Sequence, residues 1–135
     1  MFDTKIAIVL RDTLAPWQAL NVTAFLTTGI AGQFPEIIGE AYRDRAGNPY
    51  NALSAQPIVV LQANAATMGT IHRRSLEQGV KSSLYVEEMF ATGHDAANRE
   101  VFAQFAPDDA KVVGIALRAE KKTVDKITKG AKLHP

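Results

Sequence analysis

Two adjacent glutamates and a histidine–aspartate pair have the side-chain types that acid–base chemistry uses. They fall in the stretch YVEEMFATGHD, where Glu87 and Glu88 follow an apolar run and His94 and Asp95 come a few residues later. Neighbouring residues point to opposite faces of a strand and diverge by about 100° on a helix. Adjacency therefore does not make Glu87 and Glu88 a converging pair, and a catalytic role requires one of them to meet His94 across a pocket.

The same stretch has a simpler structural interpretation. Asp95 is a residue type that caps helices, so we expect it to begin the helix that follows, with His94 just outside. No close ligand repeat such as H-E-x-x-H is present in the sequence, and we expect no metal site and no cofactor.

Polar residues also follow the other apolar runs. Ligands of open α/β sheets tend to bind outside the carboxyl ends of strands, which makes Arg11 and Asp12, directly after Lys5–Leu10, candidates for a pocket. An ordinary surface ion pair is the alternative for these charges. Trp17 is expected to be a core or interface aromatic, with a stacking platform as the alternative. His72 lies four residues from Met68, a spacing that predicts a hydrogen-bonded, partly buried imidazole.

Strand and helix patterns alternate along the chain and must position these residues. Apolar runs predict strands at residues 5–10, 57–61, 80–86 and 111–117. Helices are predicted after Pro16, after Asn64, from Asp95 and after the last strand. Residues 36–50 have a turn-rich centre that predicts a hairpin or an excursion. The pattern indicates one α/β domain over residues 1–135, a three-layer sandwich with a mixed, mainly parallel sheet of about four strands.

Composition limits the classes of partner. With 135 residues, 21% of them charged, and a net charge of +1, the chain has no strong field that would imply a nucleic-acid or membrane partner. The absence of cysteine excludes thiolate chemistry and indicates a cytoplasmic protein. The first apolar run is too short for a membrane span. The lysines from 121 to 132 are expected to form a solvated helical face, with an RNA-binding patch as the alternative.

The two ends of the chain carry a family resemblance. IAIVLRDTLAPWQALNVTAFLTTG and KVVGIALRAEKKTVDKITKGAKLHP resemble the first strand and helix and the last strand and helix of the type II peptidyl-tRNA hydrolase superfamily. With FPEIIGEAY, RRSLEQG and EEMFATGHDAANR included, nearly the whole chain is similar to a bacterial family of uncharacterised proteins that share the hydrolase-like fold. The resemblance implies that fold and, because family members often pair, a homodimer.

The catalytic motif of the true hydrolases is altered in this chain. Their essential lysine, in a Lys-Met-Gly-Lys stretch, falls on Gln18. The acid of their Asp-Ala-Gly motif falls on Glu87, give or take one residue, and their threonine on or near Ala91, with Thr92 as an offset candidate. Glutamine offers a hydrogen bond but no positive charge for a developing oxyanion. Hydrolysis of peptidyl-tRNA is therefore not expected, and whether the chain is an enzyme stays open.

Two functions are consistent with the altered motif. The first is a binding module that recognises a small ligand or the end of an RNA, with Arg11, Gln18 and Glu87 near the pocket. The second is a hydrolase rebuilt around Glu87 or Glu88, with His94 as the acid–base partner.

Overall fold

Strands and helices alternate along residues 2–135, the part of the chain that the computed structural model describes. The strands are β1 (Thr4–Arg11), β2 (Tyr42–Arg43), β3 (Pro49–Tyr50), β4 (Ile58–Ala63), β5 (Ser83–Val86), β6 (Val112–Glu120) and β7 (Lys132–Leu133). The helices are α1 (Pro16–Gln33), α2 (Ala65–Glu77), α3 (Asp95–Phe102) and α4 (Lys121–Ile127). Short 3-10 helices lie at Pro35–Ile37, Glu87–Ala91 and Pro107–Asp109. Within these residues, no helix combines the length and the apolar character that crossing a membrane requires.

A five-stranded mixed sheet forms the middle layer, in the order β5-β6-β1-β4-β7. Strand β1 pairs parallel with β4 and antiparallel with β6, and the outer pairs β5–β6 and β4–β7 are antiparallel. The α/β class and the mixed sheet are confirmed, but the expectation of a mainly parallel sheet of about four strands is wrong. An apolar run shows that a strand is covered on both faces, not which way it runs, and the two-residue β7 is too short to show a pattern.

Helices cover both faces of the sheet and give the expected three layers. On one face, α1 packs its buried side chains over Ile6, Ile8 and Leu10. On the other face, α2 and α4 pack over Ala7 and Val9. Because side chains alternate along a strand, the apolar run of β1 supplies both cores at once. The central strand of the domain therefore has an uninterrupted buried run, Ile6–Leu10.

The segment with the least certain sequence pattern is a small hairpin, β2–β3, outside the main sheet. Asp44 organises its turn by accepting hydrogen bonds from the backbone N–H groups of Ala46 and Asn48 and from the Tyr50 hydroxyl. The bonds from Asn48 and Tyr50 lower the Asp44 pKa to about 2. The hairpin interpretation of residues 36–50 is confirmed.

Helix α1 lies unusually close to β6 because residue 114 is glycine. A Cβ atom at Gly114 would stand 2.5 Å from Val22 Cγ1 and 3.0 Å from Leu26 Cδ1. The first distance is shorter than carbon atoms tolerate, the second is tighter than most carbon contacts, and both neighbours are buried side chains of α1. The missing side chain at Gly114 thus sets the distance between α1 and the sheet.

We predict that Gly114→Ala lowers the free energy of unfolding by about 1–3 kcal/mol, because the added methyl group overpacks the core beneath α1. Gly69→Ala is the matched control, since Gly69 lies inside α2 with no heavy atom within 4 Å of a built Cβ. Alanine there should raise stability by about 0.5–1 kcal/mol through helix propensity. Urea unfolding measures both, and equal effects of the two substitutions would contradict the close approach of α1.

Candidate functional site

Arg11 and Glu87, two of the residues predicted near a pocket, are neighbours at one edge of the sheet. Strands β1 and β5 point the same way on either side of the antiparallel β6, so their carboxyl ends lie at the same edge. Arg11 Nη2 is 3.5 Å from Glu87 Oε1, and Arg11 Nε donates a hydrogen bond to Thr13 Oγ1 at 2.7 Å. The Arg11 side chain is 17% exposed and that of Glu87 is 47% exposed. The pair neutralises charge at this edge.

Gln18, the third residue predicted near a pocket, has a local structural role at the start of α1. It lies in the first turn of α1, and its Oε1 accepts a hydrogen bond from the backbone N–H of Ala15 at 2.9 Å. This is the reciprocal half of a capping box, which satisfies a backbone donor at the start of the helix. A lysine has no acceptor atom and could not make this bond.

His94 caps a helix and, among residues 2–135, does not hydrogen-bond to either glutamate. His94 is exposed, and its Nδ1 accepts a hydrogen bond from the Ala97 backbone N–H at 3.2 Å, so it caps α3. The expectation that Asp95 would be the cap is wrong: Asp95 is the first helical residue and forms an ion pair with Arg99. Among residues 2–135, no hydrogen bond joins His94 to Glu87 or Glu88, and Glu88 Oε1 is buried without a partner.

A groove between α1 and α3, beyond the edge strand β5, is a concave surface near these residues. Two adjoining depressions of about 290 Å³ and 280 Å³ form it and share Phe25, Tyr85, Met89, Asp95 and Asn98. We call this surface the α1–α3 groove; its remaining lining includes Trp17, Asn21, Phe90, Thr92, His94, Arg99 and Phe102.

The wall of the groove is a continuous chain of four aromatic rings. Trp17 meets Phe90 edge to face at 5.8 Å between ring centroids, Phe90 lies 5.1 Å from Tyr85, and Tyr85 lies 6.1 Å from Phe25. Trp17 is 62% exposed and Phe25 53% exposed. Burial raises the pKa of Tyr85, so its hydroxyl stays protonated. Trp17 and Phe25 therefore present uncharged stacking surfaces to solvent, and the buried Tyr85 supports them from below.

The groove also offers hydrogen-bonding groups. The Thr92 hydroxyl donates to the Met89 carbonyl oxygen at 2.9 Å and contacts the side-chain amide of Asn98. Within the described part of the chain, the side-chain amide of Asn21 and the Nε2 atom of His94 make no hydrogen bond, and both residues are exposed. A bound molecule can therefore use a ring face and an amide edge of the same groove.

The sequence does not predict most of the residues that line this groove. The sequence singles out Trp17, but no local spacing indicates that Phe25, Tyr85 and Phe90 lie on the same surface. The available signal is that α1, over 18 residues, contains no Asp, Glu, Lys or Arg. An exposed helix face usually carries charged residues, so a helix without any is expected to be buried or to make further contacts.

The fold and the groove define a mixed α/β protein with an aromatic surface depression at one sheet edge. A family model described as "Protein of unknown function (DUF2000)" matches residues 4–135, and the chain belongs to that family. A solved structure, described as a protein of unknown function from Agrobacterium tumefaciens strain C58, is similar at 68% identity over 100% of both chains, with a TM-score of 0.99. No curated protein matches the chain. The expectation of an uncharacterised family is confirmed.

Proposed function

We propose that this chain is a binding module with a type II peptidyl-tRNA hydrolase-like fold, which holds a nucleobase or a similar planar ring in the α1–α3 groove. The observation that carries the proposal is the chain of four rings ending in the exposed Trp17. Stacking of one base on an aromatic side chain is worth about 1–3 kcal/mol. The order of β1 and α1 at one end and β6 and α4 at the other supports the fold assignment.

The polar groups of the groove favour an uncharged ring over a phosphate. Its two charged residues, Asp95 and Arg99, neutralise each other. The free amide of Asn21 can donate to and accept from the edge of a nucleobase. A base is common to a free nucleoside and to a nucleic-acid end, the two ligand classes that the altered motif left open.

We place the residues of the altered motif at the mouth of this groove. Gln18 follows Trp17 directly, and Glu87 begins the 3-10 segment that carries Phe90. In this arrangement the Arg11–Glu87 pair holds the 3-10 segment against the end of β1. These residues then position the aromatic wall and perform no chemistry on the ligand.

The geometry favours binding over the rebuilt hydrolase. An acid–base pair needs hydrogen-bond or one-water reach between its members. His94 uses Nδ1 to cap α3, neither Glu87 nor Glu88 lines the groove that His94 lines, and Glu87 faces Arg11. The alternative built on Glu87 or Glu88 with His94 has no observation in its favour.

We predict that the unmodified protein does not release the peptide from peptidyl-tRNA, and that Gln18→Lys does not confer turnover. Lysine brings the charge that the family position carries but loses the bond to Ala15, at a cost of about 0.5–1.5 kcal/mol in the free energy of unfolding. Gln18→Glu is the control for stability, since its carboxylate keeps an acceptor oxygen at the same reach. Turnover by the unmodified protein would overturn the proposal of a non-catalytic module.

We predict that adenosine quenches the fluorescence of Trp17, the single tryptophan of the chain. Asn21→Ala should weaken adenosine binding about fivefold, because one hydrogen bond at the groove is lost. Asn51→Ala, an exposed asparagine outside the groove, should leave binding unchanged. A fluorescence titration measures all three proteins. Equal effects of the two substitutions, or no quenching at all, would contradict the site.

The same titration separates the two ligand classes. A trinucleotide that binds no more tightly than adenosine indicates a small ligand, because the groove contributes one ring site and no free cation. A trinucleotide that binds more tightly, with a steep dependence on salt, indicates a nucleic-acid end held by phosphate contacts outside the groove.

We further propose that the chain pairs with a second copy through the outer face of α1. One row of side chains along α1, spaced four residues apart, lines the groove: Trp17, Asn21 and Phe25. The neighbouring row, which contains Leu20 and Ala24, is exposed to solvent. Leu20 is 73% exposed on a helix without charge. An uncharged apolar face is complementary to its own copy across a two-fold axis.

We predict that Leu20→Lys converts the dimer to a monomer, since two lysines would meet at the axis. Leu133→Lys is a matched control: Leu133 is also 73% exposed, but on β7 at the opposite edge of the sheet. Light scattering after size exclusion measures the mass of each variant. A monomeric unmodified protein, or dimers of unchanged stability for Leu20→Lys, would refute this interface.

A further inference from the structure

A second depression lies beside β5 on the face of the sheet that α2 covers. It has a volume of about 330 Å³ and lies between the end of α2 and the chain that follows α3. Its walls are mainly apolar, formed by Leu76, Val80, Leu84, Val86, Phe102 and Phe105. We call it the His72 cavity, after the buried polar residue that lines it. Its volume falls at the lower end of small-molecule pockets, which span about 300–1,000 Å³.

His72 is buried in the wall of this cavity without a hydrogen bond to its ring. The residue is 8% exposed. Its backbone carbonyl oxygen accepts a bond from Ser75 Oγ at 2.6 Å, but neither ring nitrogen has a partner within residues 2–135. The burial expected for this imidazole is confirmed. Within these residues Glu88 Oε1 is the one fully buried side-chain nitrogen or oxygen atom without a partner, so the His72 ring nitrogens keep some accessible surface and a ligand group can reach them.

The imidazole faces the cavity in its neutral form. Burial lowers the pKa of His72 below its usual value of 6.5, and the nearby carboxylate of Asp108 opposes this shift. A neutral imidazole has one donor and one acceptor nitrogen. A hydroxyl group can satisfy either of them, since it both donates and accepts.

The charges around the cavity disfavour an ionised ligand of either sign. Lys81 lines the cavity and would repel a cation. Asp108 acts on His72 through its charge and would repel an anion that reached the imidazole. An uncharged ligand is repelled by neither residue and does not have to bring an unpaired charge into the cavity.

We propose that the His72 cavity binds a small, uncharged, mainly apolar molecule through one hydroxyl group that hydrogen-bonds to the His72 imidazole. The cavity and the α1–α3 groove are separate sites: His72 lines the first, Trp17 and His94 line the second, and Phe102 on α3 stands between them. The proposal is independent of the function assigned to the groove.

Three probes of similar shape test the proposal: 2-naphthol, naphthalene and 2-naphthoate. The hydroxyl of 2-naphthol should give about tenfold tighter binding than naphthalene, and the carboxylate of 2-naphthoate should bind more weakly than either. Titration calorimetry measures the affinities. Equal binding of 2-naphthol and naphthalene would overturn the hydrogen bond to His72, and tightest binding of 2-naphthoate would overturn the assignment to an uncharged ligand.

Three histidines locate the bound probe, because each reports a different part of the molecule: His72 the cavity, His94 the groove and His134 the region beyond β7. Adding 2-naphthol should move the imidazole NMR signals of His72 and leave those of His94 and His134 in place. Movement at His94 without movement at His72 would assign the probe to the aromatic groove and refute the proposed site.

Two substitutions complete the test. His72→Leu removes the hydrogen-bonding atoms but keeps an apolar wall, so 2-naphthol should fall to the affinity of naphthalene. Ala110→Phe fills the cavity from its opposite wall and should abolish binding of both probes, with His72 intact. Binding of 2-naphthol that survives both substitutions would overturn the proposal, and the measurements on the unmodified protein stand even if one variant fails to fold.

Discussion

The close packing of α1 against the sheet is the constraint on which the α1–α3 groove depends. Gly114 allows Val22 and Leu26 to pack directly on β6, and Gly29 lets the same helix approach Ser83 of β5, whose Oγ would lie 2.1 Å from an added Cβ. Because two contacts fix the helix at two strands, the row of side chains that begins with Trp17 comes into register with Tyr85 at the sheet edge. A helix held farther out by side chains would separate the rings and open the groove.

Charged and polar side chains at the carboxyl edge of the sheet make contacts with other groups of the protein. Arg11 faces Glu87, and Gln18 accepts a backbone hydrogen bond at the start of α1. At this edge Arg11, a cation that could stabilise an oxyanion, is paired with Glu87, and preorganised charge usually supplies the largest share of such catalysis. This is the physical reason for our proposal that the fold is kept for binding. The aromatic wall is a suitable surface for that purpose because stacking requires neither a charge nor a proton transfer.

Local sequence patterns predicted the helices and strands well. They could not predict how helices and strands that are far apart in the sequence pack together. The apolar run of β1 and the Asn64 cap of α2 were predicted from a few neighbouring residues, and the cap is confirmed by the bond from Thr67 N–H to Asn64 Oδ1 at 2.9 Å. Strand direction was not predictable, because burial on both faces looks the same for either orientation. The α1–α3 groove was not predictable for a similar reason: it depends on where a helix beginning at Asp95 packs relative to Trp17, far away in the sequence. His94 displaced Asp95 as the cap because its imidazole nitrogen can also accept a backbone hydrogen bond.

The central claim is that the α1–α3 groove is a site for a planar ring, and amide and side-chain NMR spectra during a titration with adenosine test it most directly. We expect shift changes at the Trp17 indole N–H and at the side-chain amides of Asn21 and Asn98, with no change at the Asn51 side-chain amide. Spectra that do not change at saturating adenosine, or changes confined to residues outside the groove, would contradict the claim.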